Sequence, residues 1–243
     1  MRVLLALLLG LLASQVQATC RQALALGLDV SGSVDAREYR LQMDGLAGAL
    51  MRAEVRDAIL AFPDAPIRLY VFEWAGPGSV RRVLDWVDLS DQTAIARVSE
   101  ILRNTTRVKQ DPATAIGQAM SHGAKSLLSQ QDCWRFTLDL SGDGESNSGP
   151  RPRSLRQNPN IAQITINGLV IGSDAQSQGD RRQAEIAALW AYFKNEVIHG
   201  PDAFVEVALG FADFENAMAR KLLKELTSIA VSQLDSAPRA RPR

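Results

Sequence analysis

Asp29-Val30-Ser31-Gly32-Ser33 lies between an apolar run and a helical one, and that setting decides the fold. Ahead of it, Ala23-Leu24-Ala25-Leu26-Gly27-Leu28 is a short hydrophobic stretch with the pattern of a buried strand. Behind it, Val34-Asp35-Ala36-Arg37-Glu38-Tyr39 opens a helix. Asp35 and Glu38 read as a capping box, and Tyr39, Met43, Leu46 and Leu50 recur at helical spacing. One carboxylate and two hydroxyls therefore gather at the carboxyl end of a strand, where open α/β sheets bind ligands. Three hard oxygens on one turn suit a small hard cation such as Mg²⁺.

Strand and helix patterns alternate along the rest of the chain. Ile67 to Trp74 alternates and is rich in β-formers. Ala75-Gly-Pro-Gly-Ser79 is a turn, and Val80 to Val87 returns as an antiparallel partner. Ser90 to Leu102 and Ala115 to Leu128 read as helices around a polar loop, Arg103 to Pro112. Cys133 to Leu140 is the next strand, followed by a Pro/Gly-rich polar stretch from Glu145 to Asn160. Ile161 to Ile171 reads as a strand, Arg181 to Asn195 as a helix, Ala203 to Leu209 as the last strand and Phe211 to Val231 as a closing amphipathic helix. The expected architecture is one α/β domain over residues 19–232. Its core is a doubly wound, mostly parallel six-stranded sheet with one antiparallel edge strand, flanked by helices.

A second polar turn matches the first. Asp143, in Leu140-Ser-Gly-Asp-Gly144, falls at the same end of what should be the neighbouring strand, and flanking glycines let the backbone turn sharply there. Thr114 stands in a loop just before a helix and can bring a third hydroxyl. In these residues the chain resembles the von Willebrand factor type A domain. The metal-ion-dependent adhesion site of that family is Asp-x-Ser-x-Ser, then a distant Thr, then a distant Asp. Further phrases, Glu73-Trp74-Ala75-Gly76, Ser141-Gly-Asp-Gly144, Ile164-Thr-Ile-Asn-Gly-Leu169 and Gly200-Pro-Asp-Ala-Phe-Val-Glu206, look like an exported bacterial branch of that superfamily.

The resemblance covers essentially the whole domain and implies a division of labour. Ser31, Ser33 and Thr114 would touch Mg²⁺, or Mn²⁺ in its place, through their hydroxyls. Asp29 and Asp143 would supply charge through waters or outer hydrogen bonds. With few anionic ligands the cation stays electron-poor and accepts a carboxylate from a protein or peptide partner. The chain departs from the family where glycines usually precede the threonine: here Asp111-Pro112-Ala113 does, and proline stiffens that loop. Thr105 and Thr106 are the alternatives. Glu73, Trp74 and Glu145 are candidate ligand contacts beside the metal, Trp74 having core packing as its other reading. Arg151, Arg153 and Arg156 are either a receiver for an acidic partner or a solvated basic loop. The alternative to a metal site is a pair of turns held by local side-chain hydrogen bonds, which keeps the fold and makes the domain a metal-free structural or interaction module.

Residues 1–18 read as a cleaved signal peptide: Arg2, an uncharged run from Val3 to Ala13, then small residues at Val16-Gln17-Ala18. The run is shorter than the roughly 20 residues that span a bilayer. Thr19 before Cys20 argues against a lipid-attachment signal. The expected location is therefore periplasmic or extracellular. There, two cysteines favour a disulfide. Cys20 lies nine residues before Asp29 and Cys133 ten before Asp143, so both mark strand starts at the bottom of the sheet if the strands are neighbours. Two unpaired small hydrophobes are the other reading.

The chain carries 27 basic and 27 acidic side chains, and loss of Arg2 leaves 26 against 27. This balance gives no electrostatic case for nucleic acid or an anionic membrane as partner. Residues 233–243 end in a basic, Pro-rich tail, expected to be disordered. Catalysis is not expected. No Gly-x-Ser-x-Gly, P-loop or dinucleotide glycine pattern appears, and His122 and His199 are too few for most zinc sites. Ser31 also stands where an aspartyl phosphotransferase would need a second acid.

Overall fold

The computed structural model describes residues 20–172 and 180–236. The expected signal peptide and the last seven residues of the expected tail lie outside the described residues. Six strands form one sheet in the order β3-β2-β1-β4-β5-β6. They are β1 (Gln22–Asp29), β2 (Ile67–Trp74), β3 (Val80–Asp88), β4 (Phe136–Gly142), β5 (Thr165–Ile171) and β6 (Val205–Ala208). Only β3 runs antiparallel, as the five-residue turn after β2 requires.

Helices cover both faces, which is why β1 and β5 are buried from end to end. Leu24, Leu26 and Leu28 of β1 face α1 (Ala36–Met51), α2 (Ala53–Leu60), α3 (Gln92–Asn104) and α7 (Phe214–Ser236). Ala23 and Ala25 face α4 (Ile116–Leu127), α5 (Pro159–Ala162) and α6 (Asp180–Tyr192). The capping box forms as expected: Glu38 N–H donates to Asp35 Oδ1 and Asp35 N–H to Glu38 Oε2, both at 2.8 Å. Among the described residues no helix is long and apolar enough to cross a membrane.

Helix α1 ends at Met51, and the extended Arg52 that separates it from α2 reaches Glu215 on α7 at 3.0 Å. Two strand starts differ from the sequence expectation. Strand β4 starts at Phe136 rather than Cys133, although Cys20 and Cys133 still form an isolated parallel bridge below it. Strand β5 starts at Thr165 rather than Ile161. Asn158 and Pro159 first open a short helical turn, the Asn158 side chain accepting from Asn160 N–H. The two cysteines are joined, with their Cα atoms 4.4 Å apart.

Register sets the geometry of the upper edge. Asp29 is level with Trp74 on β2, Leu28 with Ser141 on β4. The chain leaves β1 toward β2 on one side and later returns to β4 on the other. The crevice at this reversal of strand order therefore opens between Asp29 and the turn that holds Asp143.

Candidate metal centre

Three oxygen-bearing turns meet at that crevice. Asp29 is fully buried, and its Oδ1 accepts the N–H of Ser31 at 2.8 Å. Gln42, buried on α1, holds the end of β1 by donating to Asp29 O at 3.0 Å, and its Oε1 accepts from Ser141 Oγ at 3.2 Å. Ser31 Oγ and Ser33 Oγ are 3.2 Å apart, and Ser33 Oγ donates to Asp143 Oδ1 at 2.7 Å. The first and second polar turns are thus joined through a chain of hydroxyls.

The Thr114 loop is seated against the same turn. Gly32 N–H donates to Pro112 O at 2.9 Å, and Ala115 N–H donates to Ala75 O, just past β2, at 3.0 Å. The proline does not displace the loop. Asp111 Oδ1 accepts Ala113 N–H at 2.8 Å, so the turn closes around a residue that has no N–H of its own to place. Thr114 is buried. Thr105, the first alternative, spends its hydroxyl on Ile101 O at the end of α3. Thr106 offers its carbonyl to Arg81.

Charge is out of balance here. Burial, and secondly the negative charge of Asp143, push the Asp29 carboxyl up to about 7 against the Ser31 N–H that favours its charged form. Burial also raises Asp143, opposed by the Ser33 hydroxyl. Among the described residues no cationic side chain pairs with either, and Asp29 Oδ2 is buried without a hydrogen-bond partner. Nor do three or more His, Cys, Asp or Glu side chains converge anywhere among the described residues. The donor set is two carboxylates and several hydroxyls, hard oxygens that fit a hard divalent cation and not a soft one. The orphaned Oδ2 is the observation that a bound cation would resolve.

Glu73 and Trp74 do not meet the expectation of ligand contacts. They are 0% and 1% exposed, so neither presents surface to a partner. Glu73 is bound by Arg81 through two 2.7 Å contacts and by Tyr39 Oη at 2.6 Å, while Trp74 packs in the core with Tyr70 and Phe72. Glu145 is exposed, at the mouth of a groove of about 320 Å³ that runs from Asp143 to Ile186 and Leu189 on α6. Of the three arginines in the following loop, Arg151 is engaged by Glu196 at 2.6 and 2.7 Å, and Arg156 donates to Asn195 O. His122 bonds Tyr70 Oη at 3.0 Å at the edge of the core.

Three residues that support the site escaped the sequence reading: Gln42, Ser146 and Asn147. A polar Gln inside the apolar stripe Tyr39-Met43-Leu46 is the signal that marks the first. The other two belong to the polar run after Asp143, where composition predicts a loop and says nothing of what it touches.

Solved structures of low identity share the fold. Proximal thread matrix protein 1 from the mussel byssus superimposes with a TM-score of 0.55 at 15% identity, covering 88% of this chain and 49% of that one. A further structure of the mussel protein is described with a zinc-occupied MIDAS motif. The von Willebrand factor type A protein from Catenulispora acidiphila gives 0.53 at 14% identity, over 85% and 43%. The pilus adhesin SpaC from Lactobacillus rhamnosus GG gives 0.57 at 11% identity, over 88% and 31%. The chain thus spans less than half the length of these three. No curated protein sequence matches it. With a von Willebrand factor type A fold and a family model matching residues 19–230, the chain belongs to the family described as Protein of unknown function (DUF1194).

Proposed function

We propose that this chain is an exported recognition domain that binds Mg²⁺ or Mn²⁺ at the upper edge of its sheet and, through the metal, a carboxylate of a protein or peptide partner. The observation that carries the reading is Asp29 Oδ2, buried and unpartnered beside a second carboxylate that shares its hydroxyl chain. Burying an uncompensated carboxylate is costly, and a cation offsets that cost. Ser31, Ser33 and Thr114 would offer hydroxyls to the ion; Asp29 and Asp143 would balance its charge. Such a cation supplies Lewis acidity toward one further oxygen, and an acidic side chain entering the groove beside Asp143 and Glu145 would provide it. The zinc in the mussel protein's adhesion-site motif supports a divalent ion at such a site, and the ion expected here is the harder Mg²⁺ or Mn²⁺ because the donors gathered at it, Asp29, Ser31, Ser33, Thr114 and Asp143, are all oxygens. The role proposed is binding rather than catalysis.

A second reading has one observation in its favour. The 2.7 Å bond from Ser33 to Asp143 satisfies both groups without a metal, as a structural module would. Thermal unfolding separates the two. Saturating Mn²⁺ should stabilise the wild-type protein, by about 2.7 kcal/mol at a concentration of 100 Kd, and EDTA should reverse it. Asp29→Ala should not respond. A wild-type melting curve indifferent to both additions favours the structural module.

A further inference from the structure

We infer that Asn147 is a positioning residue for the metal centre, holding the Thr114 hydroxyl in place from outside the site. The inference rests on the metal-centre reading above. Thr114 has little local support. Ala115 is the N-cap of α4 and has no side-chain oxygen to satisfy the first-turn N–H groups, which must find partners elsewhere. The first of them, that of Ile116, finds one on the loop after β4, and so does the N–H of Thr114 just ahead of the helix. Ile116 N–H donates to Ser146 Oγ at 3.2 Å, and Thr114 N–H donates to Asn147 Oδ1 at 2.8 Å. In return, Thr114 O accepts from Asn147 N–H at 2.9 Å and from Ser148 N–H at 3.2 Å. Asn147 therefore grips both sides of one residue, its amide standing in for the peptide group of a neighbouring strand.

The loop that carries Asn147 is itself fixed. Ser146 N–H donates to Tyr192 Oη on α6 at 3.2 Å. Gly149 turns the chain with φ +72°, a conformation other residues rarely adopt. Gly117 then lets the loop lie on α4: a Cβ there would stand 2.0 Å from Pro150 O. The same segment leads directly from Asp143. The loop thus ties the acid of the second turn to the threonine of the third; Ser146 Oγ reaches Thr114 O at 3.2 Å, and Asn147 supplies the side-chain acceptor for the Thr114 N–H.

Groups that orient ligands from outside a metal site typically cost 10–100-fold in affinity when removed. Asn147 is exposed, so replacing it leaves no cavity and the fold should persist. The test uses the metal-stripped domain and Mn²⁺ with three proteins: wild type, Asn147→Leu, which keeps the bulk and loses the acceptor, and Asn147→Asp, which restores an acceptor. Two quantities are read: hydrogen exchange at the Thr114 amide without metal, and Mn²⁺ affinity by calorimetry. Asn147→Leu should exchange faster at Thr114 and bind Mn²⁺ about tenfold or more weakly, with Asn147→Asp recovering both. If wild type binds Mn²⁺ and Asn147→Leu binds it equally well, the positioning role is overturned, whatever the exchange rate. If wild type itself binds no Mn²⁺, the metal-centre reading has failed and the positioning role falls with it. Faster exchange in Asn147→Leu would then establish only a brace for the loop.

Discussion

Ser33 Oγ donates to Asp143 Oδ1 at 2.7 Å, joining the turn after β1 to the turn after β4 across 110 residues of chain. That bond brings the second carboxylate next to a first one, Asp29, which the fold has already taken out of water. Two acids share a site whose described surroundings hold no cationic partner, and the behaviour of the metal-free protein follows from this.

Asp29 titrates near 7 in the folded chain against an ordinary value near 3.8. A carboxyl raised in this way favours the fold while protonated. Its contribution is full below the unfolded value and is lost as pH rises through about 7. Metal-free protein should therefore lose stability between about pH 4 and 7, and Asp29→Asn should remove Asp29's share of that loss, leaving the share of Asp139, which burial also raises to about 7. Urea unfolding at several pH values, with and without the substitution, measures the difference. A cation must also displace that proton, so Mg²⁺ affinity should fall about tenfold per pH unit below 7.

Lys221 of α7 is fully buried between Asp139 of β4 and Glu225, with its Nζ in contact with Asp139 Oδ1 and 2.6 Å from Glu225 Oε1. The network lies inside the sheet–helix interface, where losing the cation strands two carboxylates. Lys221→Met should destabilise by about 3–5 kcal/mol in denaturant unfolding. Asp139→Asn should cost far less, since burial and Glu225 already hold that carboxyl well above its usual range.

Glu73 makes the opposite kind of contribution to the one its position at a strand end implies. It is a core acid satisfied by Arg81 and Tyr39. Arg81→Ala should lower stability by about 3–5 kcal/mol, while Mn²⁺ affinity, read by calorimetry on the folded fraction, stays within about twofold. A loss of metal binding equal to that of Asp29→Ala would put Glu73 in the site after all.

The Cys20–Cys133 bridge closes 113 residues. Replacing both cysteines by serine should cost about 2–4 kcal/mol in urea unfolding and leave any Mn²⁺ affinity unchanged, because the bridge and the proposed metal centre stand at opposite ends of the sheet.

Much of this was legible in the chain because single local rules decided it. Ala23 to Leu28, bounded by turn signals, reads as a buried strand, the Asp35/Glu38 box marks the start of α1, and the short Ala75–Ser79 turn favours the antiparallel pairing of β2 with β3. Asp29, Ser31, Ser33 and Asp143 were legible as a group because two similar turns fall at equivalent strand ends. The misses are tertiary. Burial of Glu73 depends on Arg81 folding back from the partner strand. Strand β5 starts late because Pro159 favours a helical turn, a preference the apolar run beginning at Ile161 conceals. Ser146 and Asn147 lie in a segment without periodicity, where only the folded chain reveals which carbonyl and which N–H they meet.

The most direct test of the metal centre is calorimetric titration of the metal-stripped domain with Mg²⁺ and Mn²⁺, beside Asp29→Ala, first alone and then with a simple carboxylate such as acetate in the cell. The account predicts saturable one-site binding by the wild type, strengthened when the carboxylate is present, and none by the variant. Silence from the wild type under both conditions, or equal binding by Asp29→Ala, would contradict it.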